Sequence, residues 1–407
     1  MSENSLQVAI QQKDFSQIEK LIAADTPGYK SLRSYEQDAL IQTALRNKAF
    51  SLLLKMVDLG LLTVDLFEID RWMGSFLYTV LLYTPFEKNP AGFRNPRPTN
   101  TVADPEAIDA GSLLFFRELT EKIENIDETV ENQTLLAHAI SQNMPIPILQ
   151  LIVDAGCPAD TYDYSDNTLL FGRLTPEVGR WLVEQGLDVN HKNKGGITPL
   201  ERAIDSGNQN LVQILLDNGA DIAHETKEGY SMFRFALVDK VDYPLFDLLC
   251  NYGQPDFHQM SKTGSSLLYD YVEHLHSSGE QQLTYLRKLL EMGADVQQMN
   301  TTMYGQKRTV LDAALAKDFA VFELLLNYYT GDINQSDDQG NTLLHRVCVF
   351  DLNHDQMKAK ELYRKVKHLL TQGADVSLRN TQDKTAMDLA VEDNLKDKTV
   401  ALLLKGQ

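Results

Sequence analysis

Few residues in this 407-residue chain are of types that could do chemistry. Glu201 closes the tetrapeptide Thr198-Pro199-Leu200-Glu201, His274 and His276 stand two apart in "EHLHSSGE", and Cys157, Cys250 and Cys348 are scattered. A carboxylate can act as general acid or base and a thiolate as nucleophile, but each needs a partner aimed at it. The two histidines point to different sides of a helix, and no third ligand follows at zinc spacing. There is no GxxxxGK[ST] or GxGxxG loop to cradle phosphates, and no HExxH. Cys250 and Cys348 lie in helical runs, where the expected role is that of a small buried hydrophobe. A Cys-His nucleophile stays open, because its partners would be distant along the chain. No catalytic residue, metal ligand or cofactor site is expected. Thr198 and Glu201 have the S/T-x-x-E spacing of a capping box, in which the hydroxyl serves one orphan amide and the carboxylate another.

Charge narrows the partners. The formal net charge is −19, which opposes binding to nucleic-acid phosphates and to anionic membranes. Residues 335–407 hold 11 basic and 11 acidic residues, so the excess lies entirely in 1–334. Three cysteines without a CxxC pair predict reduced thiols. "MSENSLQVAIQQKDF" has no basic n-region or long apolar run, so no signal peptide and a cytoplasmic location are expected. Delivery into another cell without such a peptide stays open. No run approaches the roughly 20 apolar residues of a membrane span.

The elements that position these residues repeat. "GAD" recurs at Gly219, Gly293 and Gly373, with weaker forms at Gly156, Gly186 and Gly253. The steps from Gly156 to Gly293 are 30, 33, 34 and 40 residues. A second marker, "GITPLERA" (196–203), recurs as "NQTLLAHA", "DNTLLFGR", "GYSMFRFA", "GSSLLYDY", "KRTVLDAA", "GNTLLHRV" and "DKTAMDLA", eight copies within 131–407. In the best-formed copy, Thr198-Pro199 is an N-cap followed by a residue preset for the first helical position. Leu200, Ala203 and Ile204 form one apolar stripe, and Leu211, Val212, Leu215 and Leu216 form a second. Gly219 suits a left-handed helix end. Helices of two or three turns are not stable alone, so neighbouring copies must bury each other's stripes.

A period near 33 with these two markers in this order resembles the ankyrin repeat, clearly over 131–407. The resemblance implies an all-α solenoid of helix-turn-helix units joined by β-turn tips. It also implies protein binding through the tips and first helices. Glu201 stands where the family pattern has histidine; among the Thr-x-x-x copies, Thr342-Leu-Leu-His345 keeps it.

Residues 1–130 resemble the family weakly. "SLQVAIQQKDFSQIEKLIAAD" and "DALIQTALRNKAFSLLLKMVDLGLL" are two-helix patterns, and 74–83 with 110–126 suggests a third. These read as degenerate, capping repeats, with a separate helical domain as the alternative. Between the last two helices, 84–107 holds five of the 13 prolines with Lys88, Arg94, Arg97, Phe86 and Phe93. That reads as an insertion, folded back on the acidic 103–131 or binding a partner.

The tips differ chemically, which fits a specific partner surface. Tyr162, Tyr164, His191, Lys192, His224, Tyr230, His258 and Met260 are the candidate contacts, since aromatics and Met are enriched at interfaces. The basic helix 355–370 reads as a solvated outer face, or as a dock for an acidic partner or for this chain's own acidic N-terminal part. The expected function is non-catalytic binding of another protein, by a monomer. The alternatives are an effector or enzyme whose activity resides in 1–130, and an acidic mimic that occupies a basic protein.

Overall fold

The computed structural model describes residues 3–83, 108–276, 278–302 and 304–406. The insertion at 84–107 lies outside them. The chain divides into two compact units, Met1–Asp221 and Ile222–Gln407.

The first unit is a stack of short helices: α1 (Glu3–Gln12), α2 (Phe15–Ala24), α3 (Thr26–Lys30), α4 (Ser34–Arg46), α5 (Phe50–Asp58), α6 (Phe76–Tyr83), α7 (Ala110–Thr120), α8 (Leu135–Ser141), α9 (Ile146–Asp154), α10 (Pro176–Glu184), α11 (Pro199–Asp205) and α12 (Gln209–Asp217). Helices α2, α5, α7, α9, α10 and α12 form one continuous layer, each packed on the next, and α1, α4, α8 and α11 pair with members of it. The apolar stripes meet in the core, where Leu52, Leu53, Ile148, Leu149, Leu182, Val212 and Leu215 are almost fully buried.

The second unit begins with the single turn α13 (Met232–Arg234). It continues as α14 (Tyr243–Cys250), α15 (Leu267–His274), α16 (Glu280–Glu291), α17 (Val310–Ala314), α18 (Phe319–Asn327), α19 (Leu343–Val349), α20 (Gln356–Thr371), α21 (Ala386–Ala390) and α22 (Asp397–Lys405). Here α16, α18, α20 and α22 form the layer of second helices. A two-residue hairpin, β1 (Asn300–Thr301) with β2 (Lys307–Arg308), precedes α17. Both units are thus all-α stacks of helix pairs.

Each marker sequence opens a first element, and a hydroxyl usually caps it. Thr134, Thr198, Ser231, Ser266, Thr309 and Thr385 each accept a hydrogen bond from the amide three residues on. The Thr198 hydroxyl accepts from the Glu201 amide at 3.2 Å. The box closes in both directions at Thr309 with Asp312 and at Thr385 with Asp388. At Thr342, His345 Nδ1 bonds the hydroxyl at 2.8 Å, and its Nε2 lies 3.2 Å from the Lys384 carbonyl one repeat on. The histidine ties its helix to the next repeat, as Asp312 does by accepting from Arg346 of α19.

One expected first helix is missing. After Thr168 the chain makes only a 3₁₀ turn, Leu169–Phe171. The step from Gly156 to Gly186 is 30 residues, short of 33, and the deficit is taken from this helix. Asn208 of the next repeat donates to the Leu174 carbonyl at 3.1 Å instead.

The basic face expected of α20 also needs correction. Lys365 is 3% exposed. Its ammonium donates to the carbonyls of Ala314 (3.2 Å), Leu315 (2.7 Å) and Lys317 (2.6 Å), capping the C-terminus of α17. Burial pushes it down to about 8. One turn earlier, Glu361 accepts from the Phe319 amide at 2.6 Å, at the start of α18. Two side chains of α20 therefore hold the α17–α18 turn from both ends, the charges matching the helix dipoles. Lys317 caps α15 through the carbonyls of Glu273 and Leu275, and Lys396 donates to Cys348 in the last turn of α19. In this unit, a lysine from the following repeat closes the first helix three times.

Candidate functional site

The tips are built on a backbone ladder. Lys194 N donates to Ser165 O (3.0 Å), Lys262 N to Glu228 O (3.0 Å), Thr301 N to Gly264 O (2.7 Å) and Thr381 N to Gln339 O (2.9 Å). Glycine permits this approach. At Gly340, φ is +74° and a Cβ would lie 2.9 Å from Thr381 N. Asparagines add a second tie: Asn193 donates to Asn167 at 2.7 Å, and Asn380 to Asn341 at 2.8 Å. Each tip is therefore fixed by its neighbour before any partner arrives.

In the first unit the tip 161–167 presents aromatic surface. Tyr164 is 78% and Tyr162 51% exposed. The turn is closed by Asp163, whose carboxylate accepts from the amides of Ser165 (2.8 Å) and Asn167 (3.0 Å). Burial pushes this carboxyl up, but those hydrogen bonds outweigh it and hold it below its ordinary range. His191 sits between Tyr162 (ring centres 5.0 Å apart) and Phe171 (6.4 Å), with Nε2 2.7 Å from the Asp166 carbonyl. Lys194 donates to the Tyr164 carbonyl at 2.7 Å. Lys192 is exposed beside them. The structure thus brings Tyr162, Tyr164, His191 and Lys192 onto two adjoining tips.

The second unit treats its candidates differently. His224 is only 5% exposed, so it packs within the tip and presents no ring surface; its place as a contact residue is corrected. Tyr230 lies over the Arg234 guanidinium, 3.4 Å from the ring centre. Arg234 is itself buried, with Nε donating to Asp270 at 2.6 Å and a second nitrogen to Asp239. Ser265 donates to the same Asp270 carboxylate at 3.0 Å and is joined to Ser261 of the following tip at 2.8 Å. After Arg234 the chain widens into a π-turn, Phe235–Asp239, closed by Lys240 N to Phe235 O at 3.1 Å. Met260 is half-buried, its sulfur accepting from Gln298 at 3.3 Å, and His258 is exposed.

The sequence reading missed the Arg234–Asp270 pair and the capping lysines. Of these, Lys317 carried a signal in the sequence, a charge whose neighbours three and four away, Ala313, Ala314, Ala320 and Val321, are all apolar.

Other chemistry is sparse. Among the described residues, no group of three or more His, Cys, Asp or Glu side chains could hold a metal. Burial pushes the Cys157 and Cys250 thiols up, and Cys348 to about 12, away from the thiolate form. His274 Nδ1 lies 2.8 Å from the Asp270 carbonyl. Among the described residues, no helix is long and apolar enough to cross a membrane.

A model described as "Ankyrin repeats (3 copies)" matches residues 171–226. A putative ankyrin repeat protein of Rickettsia felis is 26% identical over 220 residues, covering 54% of this chain and 52% of that protein. Two putative ankyrin repeat proteins of Acanthamoeba polyphaga mimivirus are 26% identical over 165 residues and 30% identical over 89, covering 35% and 20% of this chain and 53% and 55% of theirs. The chain spans about half the length of the curated relatives it matches. Two solved structures are similar at 20% identity. One is the ankyrin repeat domain of Bcl-3 (TM-score 0.43; 57% of this chain, 92% of that one). The other is a predatory endopeptidase from Bdellovibrio bacteriovorus in complex with an immunity protein (TM-score 0.40; 53% and 100%).

Proposed function

We propose that this chain, an ankyrin-repeat protein, binds another protein through the tips of its first unit, with Tyr162 and Tyr164 as the anchors and His191 and Lys192 beside them. Ankyrin repeats are in general protein–protein interaction modules. The observation that carries the finer reading is the exposure of two tyrosines on a tip already hydrogen-bonded to its neighbour. A fixed tip loses little conformational freedom on binding, and tyrosine is among the side chains that dominate interface energies. The role is non-catalytic. Residues 1–130 extend the array as degenerate repeats, a reading supported by the unbroken layer from α2 through α5 and α7 to α9.

The test is partner capture with the full chain, compared with Tyr162→Ala/Tyr164→Ala and followed by affinity measurement on the captured protein. Loss of the two anchors should weaken binding by roughly 2 kcal/mol or more, about thirtyfold. Retention of every specific partner at unchanged affinity removes the tyrosines from the site.

A further inference from the structure

In the first unit, two loops ahead of the clear repeats run side by side. One joins α5 to α6 and the other α7 to α8. Asp65 pairs with Glu124 in an isolated parallel bridge, Leu66 N donates to Glu124 O at 3.1 Å, and Asn125 donates to the Asp65 carboxylate at 2.6 Å. Further along both loops, Trp72 N donates to the Glu131 carboxylate at 3.1 Å. Within the first loop Leu66, Ile69 and Trp72 are buried at a spacing of three. Phe67 and Met73, each next to a buried residue, are 74% and 70% exposed. Among the large apolar and aromatic side chains of the described residues, Tyr164 and Tyr304 alone stand further out, and each has a hydroxyl to hydrate; Phe67 and Met73 have none. A single exposed apolar residue is ordinary. Two on one fixed loop, framed by one sign of charge, call for a partner.

The frame is acidic. Residues 65–73 and 124–131 carry Asp65, Glu68, Asp70, Glu124, Asp127, Glu128 and Glu131 against Arg71. Of these carboxylates all but Asp65 are exposed, and none makes an ion pair among the described residues. Lys122, just before the second loop, is taken by Asp58 at 2.6 Å. The carboxylates do not converge on a point, since among the described residues no group of three or more could hold a metal. Their charge is spread along the face, which suits an extended cationic chain. Exposed ion pairs contribute little each. The apolar pair therefore supplies the affinity, and the carboxylates select the sign of what binds.

We propose that this paired-loop face is a docking surface separate from the tyrosine tips, which takes a lysine- or arginine-rich segment of a partner protein whose apolar side chains lie on Phe67 and Met73. Nucleic acids and anionic membranes are repelled by it. A second copy of this chain is disfavoured, since each copy brings a net charge of −19.

A random peptide library displayed on yeast and sorted on the full-length chain tests this. The enriched peptides should carry Lys and Arg around one or two large apolar residues. They should bind at least about tenfold more weakly to Asp70→Asn/Glu124→Gln/Asp127→Asn/Glu128→Gln and to Phe67→Ser/Met73→Ser. Affinity should be unchanged for Tyr162→Ala/Tyr164→Ala and for Glu280→Gln/Glu291→Gln/Asp338→Asn/Asp397→Asn, which removes as many exposed carboxylates from the second unit. The substituted positions on the face are all exposed, and matching melting curves remove misfolding as a cause. The proposal is overturned if no peptide that depends on this face is enriched. It is overturned too if the peptides lose as much affinity on the second-unit variant, which marks attraction to net charge alone. Equal loss on the tyrosine variant and on Phe67→Ser/Met73→Ser also overturns it, since the two surfaces would then be one.

Discussion

The adjoining tips 161–167 and 191–196 and the tip 224–230 draw on the same residue classes, aromatic rings and a histidine among polar turn residues, yet they do opposite things. In the first unit the tyrosines stand in solvent and His191 is half-buried beneath one of them. In the second, His224 is buried and Tyr230 is drawn over a buried guanidinium. The difference lies below the tip. Below the tyrosine tip the chain makes only the 3₁₀ turn Leu169–Phe171, which carries no charged side chain to recruit a ring. Turn α13 carries Arg234, which demands two carboxylates, and the aromatic above it closes the charge from water. In these two tips, the aromatic stays available to a partner where the element beneath it has no charge to cover.

The strongest way to break this contrast is Arg234→Ala. It leaves Asp270 buried and uncompensated, a class of change that costs about 3–5 kcal/mol. Urea unfolding should show that loss, while Tyr164→Ala stays within about 0.5 kcal/mol of the parent. A cost below about 1 kcal/mol for Arg234→Ala would show that the pair is not the sealed charge described here.

A smaller effect sharpens the role of the ladder. Gly219→Ala and Gly340→Ala both place a side chain at positive φ, costing roughly 1–2 kcal/mol. Nothing lies within 4 Å of a Cβ at Gly219, whereas one at Gly340 meets Asn380 and Thr381 backbone at 2.9–3.2 Å. Gly340→Ala should therefore cost about 1 kcal/mol more, through the tip-to-tip hydrogen bond, and speed hydrogen exchange at the Thr381 amide. Equal costs would mean that the ladder contributes nothing.

The smallest effect concerns a histidine that, unlike those at the tips, lies in the core. His138 is stacked on Trp72 with ring centres 4.6 Å apart, and burial pushes its pKa below the ordinary value of 6.5. The unfolded chain then takes up a proton that the folded one refuses, so this contribution is complete above pH 6.5 and shrinks as pH falls below it. His138→Gln should flatten the fall in melting temperature between pH 7 and pH 5 relative to the parent. An unchanged slope would place the titration elsewhere.

The repeat was legible from its spacing. The threonine caps, the glycine-ended second helices and the stripe of Leu211, Val212, Leu215 and Leu216 are local patterns, and local patterns survive without knowledge of neighbours. The sequence reading erred where a residue's role depends on the next repeat. Thr168-Leu-Leu-Phe171 has the marker but three residues too few behind it to complete a helix. Lys365 reads as one more cation on a basic helix, because the carbonyls it serves stand about 50 residues earlier.

By itself, then, the sequence determined the repeat, the all-α helix pairs and the turn positions, since those rest on period, capping and backbone preference. The tertiary structure decided which tip residues face solvent, which charges are spent on helix ends and which remain free. Those outcomes depend on the desolvation of side chains by elements one or two repeats away, and a polar group removed from water takes whatever partner the packing brings to it.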